Sequence, residues 1–90
     1  MKFFVYILRT SLNTLYTGQT NNLQKRLKEH EQKKSKGSKY MKYFDSFHLV
    51  YQEEYQTLPE AMKREKQIKG WTKSKKEALI KGDLEFLKKL

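Results

Sequence analysis

Phe3-Phe4-Val5-Tyr6-Ile7-Leu8-Arg9 is followed by Thr10-Ser11-Leu12-Asn13-Thr14 and then by Leu15-Tyr16-Thr17-Gly18. The first run is β-branched and aromatic, a composition that suits a pleated, half-buried strand. The five residues after it are turn-like, and the four after those read as a returning strand. The stretch therefore predicts a β-hairpin. Gly18 marks either the end of the second strand or a place where another group passes close to the backbone.

Working outward, Asn21 is the predicted N-cap of a helix. Gln24 follows three residues later, an Asn variant of the capping box, and the helix is expected to run to about Lys33. With Leu23 at zero on a helical wheel, Leu27 falls near roughly +40°, His30 near roughly −20° and Arg26 near roughly −60°. Leu23 and Leu27 then face the core, His30 lies inside their stripe and Arg26 borders it. Lys33–Lys39 is a charged loop. Tyr40–Phe44 reads as loop or as one helical turn. Phe47–Tyr55 is the third expected strand, with Phe47, Leu49 and Tyr51 on one face. Thr57 and Glu60 form a second capping box with Pro59 in the first turn, and that helix ends at Gly70 as a C′ glycine. Thr72 opens another helix, through Leu79 and Ile80 to Gly82, and Asp83 is placed to cap a last short helix ending at Leu90.

The chain has 90 residues, 20 basic against 10 acidic, for a formal charge of +10. That length makes one domain, 1–90, with one modest core. Trp71, five Phe and six Tyr argue against disorder despite the 33% of charged residues. The absence of cysteine excludes a Cys-based zinc site, an Fe–S cluster, a thiol nucleophile and a disulfide. It fits a cytoplasmic protein. The longest apolar run, Phe3–Leu8, is far short of the roughly 20 residues that span a membrane.

Charge is concentrated in two stretches. Residues 25–42 hold eight basic side chains against two acidic, and residues 63–76 hold seven against one. The rest of the chain carries five basic against seven acidic. Two basic ridges suit a polyanion lying between them. The plain alternative is two solvated Lys-rich helix faces. Lys outnumbers Arg 17 to 3, which disfavours bidentate reading of base edges.

One residue on the Thr57–Lys69 helix conflicts with its neighbours. With Leu58 at zero, Ala61 lies near roughly −60°, Met62 near roughly +40° and Ile68 near roughly −80°, while Glu65 falls near roughly −20°, in the middle of that apolar stripe. A carboxylate on a buried face is costly unless it is paired or binds a metal. Lys69, one turn on, is an i,i+4 partner for it. Taken singly, Tyr6 and Tyr16 read as packed strand tyrosines, His30 as a half-buried histidine and Arg26 as a surface cation.

Taken together, these residues resemble the GIY-YIG nuclease superfamily, in particular its small stand-alone members. Val5-Tyr6-Ile7 stands at the first triplet and Tyr16-Thr17-Gly18 at the second. Arg26 and then His30 follow on the next helix, and Glu65 stands at the metal-binding glutamate. The runs Arg26-Leu27-Lys28-Glu29-His30, Ser38-Lys39-Tyr40 and Lys63–Gly70 are also similar, and the match extends over about residues 3–80. Val5 stands where the family name has Gly, Thr17 where it has Ile, and no Asn follows Asn22.

The resemblance implies an α+β fold, a three-stranded antiparallel sheet flanked by helices, with a site on one sheet face. It implies hydrolysis of phosphodiester bonds in DNA, in repair or processing, with a single Mg²⁺ or Mn²⁺ held by Glu65. In that reading Arg26 faces the developing phosphorane, Tyr6 is the general base and Tyr16 orients water or phosphate. His30 supports the site, and Gly18, Lys39, Tyr40 and Lys69 adjoin the nucleic acid. Two readings from other classes stand beside it: a non-catalytic nucleic-acid-binding module on the same scaffold, and an adaptor for a partner nuclease.

Overall fold

The computed structural model describes residues 2–36 and 47–83, and of residues 30–36 the backbone alone. Three strands, β1 (Phe3–Thr10), β2 (Leu15–Thr20) and β3 (Phe47–Tyr55), form one antiparallel sheet in the order β2-β1-β3. The most apolar strand is the central one, and Val5, Tyr6, Ile7 and Leu8 are fully buried in it. The hairpin closes through Thr10, whose N–H donates to the Thr14 carbonyl at 2.9 Å and whose carbonyl accepts from Asn13 N–H at 2.9 Å. Asn13 takes φ 64° there, a left-handed conformation that Asn tolerates better than most residues.

Across the β1–β2 ladder Tyr6 opposes Gly18 and Leu8 opposes Tyr16, so these four share one face. Val5 and Ile7, opposite Gln19 and Thr17, lie on the other. The β1–β3 ladder is interrupted by a bulge: Ile7 pairs with Tyr51 but Leu8 pairs with Leu49, leaving Val50 as the extra residue. The expectation that Phe47, Leu49 and Tyr51 line one face is therefore corrected. The bulge moves Tyr51, with Glu53 and Tyr55, to the Val5–Ile7 face.

Helix α1 spans Leu23–Lys36, three residues beyond the expected end. Its cap is Asn22 rather than Asn21. The Asn22 Oδ1 accepts from Lys25 N–H at 3.1 Å, and its carbonyl accepts from Arg26 N–H at 3.0 Å. The choice between the two asparagines is made by Thr20, whose hydroxyl accepts from Asn22 N–H at 3.1 Å and fixes the turn one residue later.

Helix α2 (Leu58–Lys69) begins as expected, with the Thr57 hydroxyl accepting from Glu60 N–H at 3.4 Å and donating to the Glu60 carboxylate at 2.7 Å. It ends at Gly70, but at φ −80°, in the ordinary right-handed region. Helix α3 (Lys73–Lys81) is capped by Thr72, and it is Gly82 that takes the left-handed cap, at φ 74°. The N–H groups of Gly82 and Asp83 return to the carbonyls of Leu79 and Ala78.

Ala61, Ile68 and Leu79 meet Val5 and Ile7 to form the core, so α2 and α3 cover the sheet face opposite the tyrosines. Two arginine forks fasten this layer. Arg9 on β1 binds Glu77 on α3 at 2.8 and 2.5 Å. Arg64 on α2 binds Glu53 on β3 at 2.9 and 3.0 Å. The Arg64 guanidinium and the Lys75 ammonium also lie over the Trp71 ring, 5.0 and 4.3 Å from its centroid, in cation–π contact. The expected turn at 40–44, the last helix beyond Asp83, and Lys39 and Tyr40 lie outside the described residues.

Candidate active site

Sequence neighbours build the floor of the site. Tyr6 on β1 and Tyr16 on β2 share a face because of the hairpin register, and their rings sit 6.4 Å apart, tilted by 41°. Gly18 settles its two alternatives in favour of close approach. A Cβ built there would lie 2.5 Å from Tyr6 Oη and 2.6 Å from Cζ, so the phenol lies directly over the glycine backbone. A residue with any side chain at position 18 would displace the Tyr6 ring.

Helix α1 adds a cation from above. The Asn22 cap sets the helix phase, and that phase points Arg26 at the sheet. Arg26 Nε donates to Tyr6 Oη at 3.4 Å, and Arg26 Nη1 lies 3.7 Å from Glu29 one turn on. Burial pushes the Tyr6 phenol above its ordinary value. The hydrogen bond from Arg26 pulls the other way without overcoming it, and Tyr16 and, least of all, Glu65 add to the rise. Tyr6 is thus a neutral, fully buried phenol in this structure.

Glu65 stands on α2, the helix packed against the Val5–Ile7 face of the sheet. The wheel placed it at the centre of the buried stripe, and the structure corrects this. Leu58 and Met62 are 40% and 51% exposed, while Ala61 and Ile68 are buried. The buried axis is therefore near roughly −70° and Glu65 stands at its border. Its side chain keeps 21% of its surface and pairs with Lys69 Nζ at 3.3 Å. Its charge makes the smallest contribution to the raised Tyr6 phenol, after burial, Arg26 and Tyr16. His30 falls on α1 one turn after Arg26, with its side chain outside the described residues.

A groove of about 410 Å³ runs beside this cluster, where the end of β2 meets both helices. Arg26 and Lys25 form one wall, Leu58 and Phe3 the other, and Gln19 to Asn22 the end. The sequence does not mark a further cation, which lies near Lys69. Lys76 on α3 is half-buried, and burial and the neighbouring Lys69 charge hold its ammonium below the usual lysine range. Nothing local marks Lys76, because its proximity to Lys69 depends on how α3 folds back on α2.

A divalent cation would find a hard oxygen ligand here. Four carboxylates are half-buried among the described residues. Glu53 and Glu77 are held by guanidinium forks, Glu29 lies 3.7 Å from Arg26, and Glu65, 21% exposed, has a single ammonium against it. No group of three or more His, Asp or Glu is clustered among the described residues. Glu65 as the one protein ligand would suit Mg²⁺ or Mn²⁺, which keep most of their waters, better than Zn²⁺, which takes three or four protein ligands.

A three-stranded antiparallel sheet with paired tyrosines over a glycine, an arginine from the next helix and a glutamate from the one after defines a class. The GIY-YIG catalytic domain matches residues 2–78. The chain belongs to the GIY-YIG family and, within it, to the UPF0213 proteins. UPF0213 proteins of Staphylococcus aureus strains Mu3 and Mu50 are 46% identical over 78 residues, which is 87% of this chain and 93% of theirs. A UPF0213 protein of Bacillus halodurans, solved in solution by NMR, superposes with a TM-score of 0.58 at 33% identity, over 90% of this chain and 84% of that one. No helix among the described residues is long and apolar enough to cross a membrane.

Proposed function

We propose that this chain is a metal-dependent endonuclease that hydrolyses phosphodiester bonds in DNA, in repair or processing. The observation that supports it most is the Arg26 Nε hydrogen bond to Tyr6 Oη at 3.4 Å over Gly18, which joins β1, β2 and α1 at one point. Arg26 offers a fixed positive fork to the charge that develops on phosphorus. Tyr16 hydrogen-bonds water and phosphate oxygens at the sheet surface, and Gly18 leaves room for the buried Tyr6 ring. Glu65 would hold the Mg²⁺ or Mn²⁺, which when bound polarises the scissile phosphate and stabilises the leaving oxygen. His30 supports the site from α1, and Lys39, Tyr40 and Lys69 touch the nucleic-acid backbone.

For Tyr6 to take a proton from the attacking water, its phenol must reach the phenolate. A neutral buried phenol supports the second reading, a nucleic-acid-binding module without chemistry. The test is cleavage of single-stranded, duplex and branched DNA with Mg²⁺ or Mn²⁺, comparing wild type with Arg26→Ala and Glu65→Ala. Metal-dependent cutting lost in both variants supports the nuclease. Salt-sensitive binding with no cutting, and no effect of Glu65→Ala, supports the binding module.

A further inference from the structure

Three carboxylates of similar exposure are treated differently by this fold. Glu53 and Glu77 are each locked by two hydrogen bonds from a guanidinium. Glu65 is matched by one ammonium, Lys69 Nζ at 3.3 Å, on a side chain that is 54% exposed. A lysine stem is long, flexible and free to swing to water, and an exposed i,i+4 pair is weakly held. On the wheel Glu65 and Lys69 lie within roughly 40° of one another, so the ammonium rests against the carboxylate that the functional reading gives to the cation. Lys76 stands close enough to Lys69 for the two positive charges to act on one another. If the ammonium left Glu65, it would stay within the influence of a second cation.

We propose that Lys69 is an exchangeable counter-ion of Glu65. A divalent cation displaces it, and nucleic-acid phosphate then takes up the freed ammonium beside Lys76, so that cation and substrate strengthen each other's binding. The proposal rests on Glu65 as the cation ligand. In the free protein Lys69 competes with the cation for Glu65 and weakens its binding. In the complex that competition is relieved, because phosphate offers the ammonium another anion. Linkage makes the effect reciprocal: the factor by which DNA tightens the cation equals the factor by which the cation tightens DNA. Lys69 is a positioning residue in this scheme and Lys76 supports it.

The experiment measures Mn²⁺ binding by the electron paramagnetic resonance signal of free Mn²⁺, with and without a phosphorothioate duplex that resists cleavage. The proteins are wild type, Lys69→Gln, Lys66→Gln and Glu65→Ala. Lys66→Gln removes the same charge from the same helix at a position roughly 100° away from Glu65. Without DNA, Lys69→Gln is expected to tighten Mn²⁺ at least about five-fold, and Lys66→Gln less than about two-fold. DNA is expected to tighten Mn²⁺ in wild type and to do so much less in Lys69→Gln. Equal tightening in the two lysine variants, or none in Lys69→Gln, overturns the proposal while leaving Glu65 as the ligand. Unchanged Mn²⁺ binding by Glu65→Ala overturns the ligand assignment and the proposal with it.

Discussion

Arg64 holds Glu53 with two parallel hydrogen bonds, Nε to Oε1 at 2.9 Å and Nη2 to Oε2 at 3.0 Å. The same carboxylate accepts the hydroxyls of Tyr51 and Tyr55. The pair ties β3 to α2, the helix that carries Glu65, so it sets the height of the proposed cation ligand above the sheet.

Removing half of such a pair leaves the other half buried and unmatched. Glu53→Gln is therefore expected to cost about 2 kcal/mol, read by thermal or urea unfolding. The pH dependence follows from the shifts. Burial alone would raise the Glu53 carboxyl, but Arg64 and the two tyrosine hydroxyls hold it below its ordinary value. Its contribution is present above the unfolded-state value and is lost as pH falls through the lowered folded value. Wild-type stability should drop in acid more steeply than that of Glu53→Gln. At the alkaline end the Tyr55 phenol is pushed up to about 12. Its contribution is complete below the unfolded value of 10.0 and vanishes as pH rises through the folded one.

Gly18→Ala tests the floor of the site. The new Cβ would overlap Tyr6 Oη and Cζ at 2.5 and 2.6 Å, and the ring has to move because the central strand cannot. A stability loss of about 1–3 kcal/mol is expected from the overpacking. DNA cleavage should fall at least about ten-fold, because Arg26 loses its fixed partner. A variant that unfolds like wild type and cuts like wild type would show that Tyr6 is not held where the proposed chemistry needs it.

The parts of this molecule that were legible in the sequence are those decided within a few residues. The hairpin and the Thr57 and Thr72 caps follow from local chemistry, whereas Gly18 leaves two readings open that only the position of the Tyr6 ring decides. Asn21 and Asn22 present the same side chain, and only the turn made by Thr20 selects between them. The bulge at Val50 has no local signal, and it reverses which face Tyr51 and Glu53 occupy. The wheel of α2 misled because Leu58 and Met62 are apolar yet exposed. Chemical type was taken for burial, and the true axis passes between Arg64 and Glu65. That placement explains why one of these two side chains clamps the core's edge while the other is left for the site.

Thr17 is a buried residue, 4% exposed, whose hydroxyl has no hydrogen-bond partner. It lies opposite Ile7 on the face covered by α2 and α3. An unmatched hydroxyl in such a place is unfavourable. Thr17→Val keeps the shape and removes the polar atom, so a gain of about 1 kcal/mol is expected. Urea unfolding with an unchanged slope checks it, and a loss of stability would show that the hydroxyl has a partner in solution.

Burial raises the Tyr6 phenol, Arg26 opposes the rise, and Tyr16 and, least of all, Glu65 add to it. A base acts in its deprotonated form, and for a group titrating above the working range the active fraction grows about ten-fold per pH unit. If Tyr6 takes the proton of the attacking water, log kcat should rise with near unit slope from about pH 7 to about pH 9. Tyr6→Phe should lower the rate and flatten that slope, whereas Tyr16→Phe, which removes only an orienting hydroxyl, should lower the rate and leave the slope intact. A slope that survives in Tyr6→Phe would assign the proton to another group and leave Tyr6 as the neutral phenol that positions Arg26.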